Sequence, residues 1–178
     1  NGSPSVIDFT RTMEEVFSTQ SGIKNYLAGV YAYIPDECNQ RQVHETTLYR
    51  TPGPWTAASD EAEYTSAGNK AQMWNNNTVT ATENTLVSYR WKSWYTGIHE
   101  ATVFLENAGK YPVDNLESKL LQQWRAEARA LRAIYYFYLV RAYGPVPIIE
   151  ETIPLDSQIE KFQLYRNTVS ECFDYIIS

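Results

Sequence analysis

The sequence predicts an all-α fold, and three patterns carry that expectation. Val87, Trp91, Trp94, Ile98, Ala101, Leu105 and Ala108 recur at alternating spacings of four and three, the seam of a helix that packs along a nearly antiparallel neighbour. Residues 116–143 are rich in Ala, Leu, Glu, Gln and Arg, all good helix formers. They place Trp124, Ala128, Leu131, Tyr135 and Tyr138 on one stripe, which Ala130, Ile134 and Phe137 widen; so broad an apolar face belongs to a helix buried on more than one side. Two shorter stretches, Ile23, Leu27, Val30, Tyr31 and Ile34, and then Val169, Cys172, Phe173 and Ile176, each trace a single helical face.

The elements follow in order. The chain is polar and irregular to about Phe9, and a short helix is expected over Met13–Phe17. Ser18, Thr19, Gln20 and Ser21 offer caps for a helix over Gly22–Ile34, which Pro35 stops. From 35 to 82 the character changes. Pro35, Pro52, Gly53, Pro54 and Gly68, the acidic Asp60-Glu61-Ala62-Glu63 and the run Asn75-Asn76-Asn77 leave no helical or strand period standing. So long an irregular stretch inside a domain is usually functional or disordered, and Tyr49, Trp55, Tyr64 and Trp74 argue for an ordered excursion that carries rings. A helix pair is expected over 83–143: Thr80 or Thr82 caps its first member, Gly109 stops it, and Gly144-Pro145 ends the second. Each Pro disfavours helix at the residue before it, so Val146-Pro147-Ile148-Ile149 should run extended. Asn167 or Thr168 caps the start of a further helix within 165–178.

Composition narrows the function. The 178 residues suit one domain. Against 21 Asp and Glu stand 15 Lys and Arg, giving a net charge of −6 and a pI near 5.0. That balance argues against nucleic acid and against an anionic membrane surface as partners. Hydrophobic residues at 43% and charged residues at 20% suffice for a packed core. Runs without a charged or strongly polar residue, such as Ala133–Val140, fall far short of the roughly 20 residues a membrane helix needs. Cys38 and Cys172 stand in no metal or redox spacing, which excludes a zinc site and a disulfide scaffold; two buried thiols are expected ahead of a single disulfide.

Reactive chemistry is missing as well. A nucleophile needs a base beside it, and the two His residues, His44 and His99, lie in no such pattern. The residue four after His99 is Val103, which breaks a helical zinc motif. The glycines are scattered with no phosphate-cradling loop among them, and Asp60–Glu63 reads as a solvated acidic loop ahead of an acid–base pair or a Ca²⁺ site. Asn76-Asn77-Thr78 fits a glycosylation sequon, a three-residue signal that recurs by chance. No enzyme, metal or cofactor is expected.

One block is specific. Arg125 to Ile149, RAEARALRAIYYFYLVRAYGPVPII, closely resembles the signature of the SusD/RagB family, outer-membrane lipoproteins of Bacteroidetes that capture nutrients, mostly glycans. Other parts agree in order: Val16-Phe17, Tyr26 to Tyr31, Ser59-Asp60-Glu61, Trp94 to Ile98, and Leu164-Tyr165-Arg166-Asn167 onward. The resemblance implies tetratricopeptide-like helix pairs, with residues 1–178 forming the N-terminal portion of a SusD-like domain whose remainder and lipid-bearing Cys lie outside this chain. It further implies a surface-exposed protein of the outer membrane, held there only through that lipid. Such a protein binds an oligosaccharide without cleaving it, in partnership with a TonB-dependent, SusC-like transporter. On this reading Glu127, Arg129, Arg132 and the Tyr residues of the block hold the scaffold, and Arg125, Arg129 and Arg132 share a face that can pair with carboxylates of a neighbouring helix. The Val169, Cys172, Phe173 and Ile176 face should lack a partner within the chain and promote self-association.

Sugar rings present an apolar C–H face and a rim of hydroxyls, so they call for an aromatic platform beside planar polar groups. Only residues 50–77 offer both away from the helical seams. Trp55 and Trp74 are the candidate platforms, followed by Tyr64 and Tyr49, and Arg50, Asp60, Asn75, Asn76 and Asn77 are the candidate hydroxyl partners. Two other readings stand beside this one: a peptide-capturing member of the same family, and a structural helical-repeat module that contacts the transporter alone.

Overall fold

The computed structural model of the chain describes residues 13–35, 55–63, 72–80, 85–153 and 165–178, with backbone alone for 85–88. Among these residues every regular element is a helix: α1 (residues 13–17), α2 (Gln20–Tyr31), α3 (Gln72–Asn75), α4 (Thr85–Asn107), α5 (Ser118–Tyr143) and α6 (Val169–Ile177). They fall into two compact units, one within Asn1–Tyr31 and Gly97–Ser178, the other within Ala32–Thr96. None of these helices is long and apolar enough to cross a membrane.

The first unit begins with a close approach. Thr19 caps α2, its Oγ1 accepting from the Gly22 N–H at 3.1 Å. A Cβ on residue 22 would stand 2.0 Å from the Val16 carbonyl oxygen, so only glycine lets α1 turn this tightly into α2. Ile23, Leu27 and Val30 are buried, as their spacing predicts, whereas Tyr31, expected on the same face, is exposed, and the helix ends there rather than at Ile34. Phe17, Tyr26 and Phe104 cluster with ring centroids 5.0–6.3 Å apart, and the Tyr26 hydroxyl donates to Glu100 at 2.5 Å.

Along α4 the seam holds: Trp94, Ile98, Ala101 and Ala108 are buried and Trp91 and Leu105 half-buried, while the Val87 side chain lies outside the described residues. Burial spreads beyond that seam to Thr102, Val103 and Phe104. The cause is a second neighbour. Phe104 meets the rings of α1 and α2, while Thr102 accepts from Arg132 of α5 at 3.3 Å. α4 ends at Asn107, and Gly109 takes the left-handed φ of +93° in the turn that follows.

α5 buries Trp124, Ala128, Leu131 and Tyr135 as the stripe requires and half-buries Tyr138, but its face widens toward Tyr136, Leu139 and Val140 and leaves Ala130, Ile134 and Phe137 exposed. α6 sets that direction, with the Tyr175 ring edge-on to Tyr136 at 5.2 Å. The Arg residues also differ from expectation. Arg125 donates to the carbonyls of Leu105 at 2.7 Å and Ala108 at 2.6 Å, acceptors left open where α4 ends and where a cation is favoured. Its partners are therefore main-chain oxygens rather than carboxylates. Since Arg125 meets 105–108 and Arg132 meets Thr102, the two helices run in opposite directions.

Gly144, with φ +73°, closes α5, and its N–H bonds the Val140 carbonyl. Residues 146–149 then run free of helix and are pinned from three sides. The Tyr136 hydroxyl accepts from the Ile149 N–H at 2.7 Å and donates back to the Ile149 carbonyl at 3.2 Å. Asn167 bonds both the Val146 carbonyl, through its N–H, and the Ile148 N–H, through its side chain. The buried Cys172 thiol, a free cysteine, lies 3.6 Å from the Val146 carbonyl; Cys38 lies outside the described residues. Both candidate caps of the last helix are thus in use for different ends, for Thr168 caps α6 in a reciprocal box with Glu171. The α6 face expected to lack a partner is covered in part within the chain: Cys172 is buried and Ile176 half-buried, while Val169 and Phe173, with Ile177 beyond them, are exposed.

Candidate functional site

The expected ligand residues fall in the second unit, where the described chain consists of a turn at 55–61, α3 with the turn after it, and the first part of α4. The turn is built by Ser59, whose N–H and hydroxyl both donate to the Thr56 carbonyl, at 3.3 and 2.7 Å, and whose oxygen accepts from the Glu61 N–H. It buries Ala57 and leaves Trp55, Asp60 and Glu61 in solvent.

α3 is only four residues long and owes its end to the asparagine run. Asn77 adopts φ +53°, its N–H donates to the Trp74 carbonyl at 3.2 Å, and the Thr78 N–H reaches back to the Met73 carbonyl at 2.9 Å. This is a Schellman cap with Asn in the left-handed position that glycine usually fills. Asn75 has a different task, donating from its side-chain amide to the Ala57 carbonyl at 2.9 Å and so tying α3 to the turn. From the other side, the Arg90 guanidinium of α4 lies 5.0 Å from the centroid of the Trp55 ring. These two ties bring the turn, α3 and α4 together.

Each sequence-derived candidate can now be placed. Trp55 is exposed and backed by Arg90; Trp74 is half-buried on α3; Asp60, Asn76 and Asn77 are exposed. Asn75 and Asn77 have definite work in the local fold, as tether and as cap. Arg50, Tyr64 and Tyr49 lie outside the described residues. Arg90 escaped notice in the sequence because it sits beside the seam residue Trp91 and reads as a helix-surface cation. Its one signal was the flanking aromatic pair Tyr89 and Trp91.

Elsewhere, the first unit contains a groove of about 440 Å³ walled by Arg129, Arg132, Ala133, Glu150 and Tyr175. The ring in that wall is engaged, with Arg132 over Tyr175 at 5.7 Å and Tyr136 against its edge. Burial raises the hydroxyl pKa of Tyr175, and that of Tyr136 further still. His99 is exposed, and among the described residues no group of three His, Cys, Asp or Glu side chains is arranged to hold a metal ion.

The described residues therefore define a helical scaffold that carries an aromatic and amide-bearing patch. Residues 7–178 match the SusD-like family, whose description is "Starch-binding associating with outer membrane", and the chain belongs to that family. Among curated proteins no sequence matches it significantly. Among solved structures, a laminarin-binding SusD-like protein superposes with a TM-score of 0.68 at 24% identity over 90% of this chain. A SusD superfamily protein from Bacteroides thetaiotaomicron superposes with 0.65 at 22% over 90%, and a SusD-like protein from Bacteroides fragilis with 0.62 at 18% over 92%. These establish the shared all-helical fold. The chain spans about a third of the length of those structures, 32%, 33% and 29% respectively.

Proposed function

We propose that the chain is the N-terminal portion of a cell-surface SusD-like protein that binds glycans without cleaving them. The protein would be lipid-anchored at the outer membrane and pass its ligand to a TonB-dependent transporter. The observation that carries this reading is Trp55, an indole 41% exposed on a turn that Asn75 and Arg90 tie down. A partly exposed indole on a tethered turn suits the C–H face of a sugar. The exposed Asp60 and Asn76 provide planar polar groups nearby in the same unit for the hydroxyl rim. Family membership points the same way, since the family is described as starch-binding and one structural neighbour as laminarin-binding. Titration calorimetry with laminarin and starch oligosaccharides, beside short peptides, tests the reading. Saccharide binding is the expected result. Binding of peptides alone would turn it to peptide capture, and binding of neither would leave a structural module.

A further inference from the structure

The helical block that marks the family carries two cations the scaffold leaves largely unused. Arg129 and Arg132 stand one turn apart on one side of α5. Both wall the first unit's groove of about 440 Å³, a size that suits a small ligand. Arg129 is exposed and, among the described residues, makes no hydrogen bond or ion pair. Arg132 gives one N–H to the Thr102 hydroxyl at 3.3 Å and lies over the Tyr175 ring at 5.7 Å. Neither guanidinium is paired, among these residues, with a carboxylate, its strongest acceptor. A third group points the same way. The Tyr175 hydroxyl oxygen is buried and has no hydrogen-bond partner, an uncommon state for a buried polar atom. Glu150 belongs to the same wall, and its charge and that of Arg132 both act on that hydroxyl. Ala133 and Ile176 add apolar surface.

We propose that this groove is a second binding site, one for a uronate residue of an acidic glycan: Arg129 and Arg132 take the carboxylate, Tyr175 and Glu150 the ring hydroxyls, and Ala133 and Ile176 the C–H edge. The groove is independent of the Trp55 platform; that a sugar bears the carboxylate rests on the glycan reading. The mixed wall selects among ligands. A sulfate would meet Glu150 as a repulsive neighbour and has no proton to give it. A neutral sugar would leave both cations unanswered. A uronate offers a planar carboxylate to the guanidinium groups and hydroxyls that donate to Glu150, so each polar group of the wall finds a complement. With a net charge of −6 the chain exerts no general pull on polyanions, so binding of an acidic oligosaccharide reports a local site.

The test uses three probes on the full 178-residue, ¹⁵N-labelled chain: tri-galacturonate, its methyl ester, which keeps the ring hydroxyls and loses the charge, and sulfate. Tri-galacturonate should shift the backbone amides of Ala133, Glu150 and Tyr175. The methyl ester should bind about tenfold more weakly or worse, and sulfate should leave those amides nearly still. Arg129→Gln removes a cation that makes no bond among the described residues, so the urea midpoint should stay unchanged while tri-galacturonate affinity falls about tenfold. The proposal is overturned if tri-galacturonate leaves the groove amides unmoved, if the ester or sulfate binds there equally well, or if Arg129→Gln keeps wild-type affinity. A laminarin oligosaccharide separates this site from the Trp55 platform. If laminarin binds and tri-galacturonate does not, the groove site falls and the glycan reading stands. If tri-galacturonate binds the groove and laminarin binds nowhere, the groove site stands and the platform falls.

Discussion

In the first unit the hydroxyl of Tyr135 ends on the Val30 carbonyl at 2.5 Å, that of Tyr136 on both main-chain groups of Ile149, and the guanidinium of Arg125 on two carbonyls at the end of α4. In the second unit Trp55, Asp60 and Asn76 keep their polar or aromatic surface in water. The residues that make the family recognisable belong to the first group. Their polar atoms bond the backbone, which ties α5 to α2, to the end of α4 and to the non-helical 146–149 segment. These bonds help to specify the fold. The proposed stacking residues lie in the second unit, where the turn carrying Trp55 is tied to α3 through Asn75 and to α4 through Arg90.

The sharpest way to break this contrast is to damage the first unit's core. Phe104 is fully buried against Phe17 and Tyr26, and Phe104→Ala should cost about 3–5 kcal/mol of stability, read as a lowered urea midpoint. A loss below about 1 kcal/mol would mean that this cluster is not a close-packed core.

In the second unit the expectation is inverted. Trp55→Ala and Trp74→Ala should lower the unfolding midpoint much less than Phe104→Ala does. Each should reduce oligosaccharide affinity by on the order of 1–3 kcal/mol, the range for aromatic stacking on nucleobases, or about ten- to over a hundredfold. Calorimetry on both variants distinguishes them. Wild-type affinity in both would remove the proposed platform, and a large stability loss in Trp74→Ala would assign that half-buried ring to the fold.

These contrasts also explain what could be read without coordinates. The faces of α2 and α4, the stop at Gly109 and the break at Gly144-Pro145 were legible because period, propensity and turn chemistry all act locally. The side on which α5 widens was not, since Ile134 and Phe137 are at least as apolar as Tyr136 and it is α6, packed against the Tyr136 ring, that sets the buried side. The Arg125 partners escaped for a related reason: open carbonyls at a helix end carry no sequence letter. At the candidate site, Trp55 could be named from composition, but Arg90 could not, because a cation–π pair across 35 residues leaves no periodic trace.

A smaller effect sharpens the scaffold side. Tyr136→Phe keeps the ring against Tyr175 but removes the hydroxyl that serves the Ile149 N–H and carbonyl. Leaving those half-buried groups without their partner should cost about 1–2 kcal/mol, with saccharide affinity unchanged. Denaturant unfolding and calorimetry on the same variant check both halves, and a selective loss of affinity would place part of the binding site in the first unit.

The mildest test concerns pH and α6. The Thr168 N–H donates to the Glu171 carboxylate at 2.7 Å and the Thr168 hydroxyl lies 3.0 Å from it, and these hydrogen bonds, the main-chain one first, hold the Glu171 pKa below its ordinary value. A carboxylate whose pKa is depressed by folding stabilises the folded form above its unfolded pKa, and that contribution disappears as pH falls through the folded value. The window therefore opens at the ordinary glutamate range and extends downward from it; nothing should change near neutrality. Glu171 is fully solvent-exposed, so the effect is local fraying of the first turn of α6 rather than global unfolding. Amide chemical shifts of Thr168 and Glu171, followed from neutral pH into the acid range, should move together in the wild-type chain. In Glu171→Gln, which keeps an acceptor and loses the titration, they should stay nearly flat. Identical titration curves in the two chains would mean that another group governs this end of the helix, with the nearby Asp174 the next to replace.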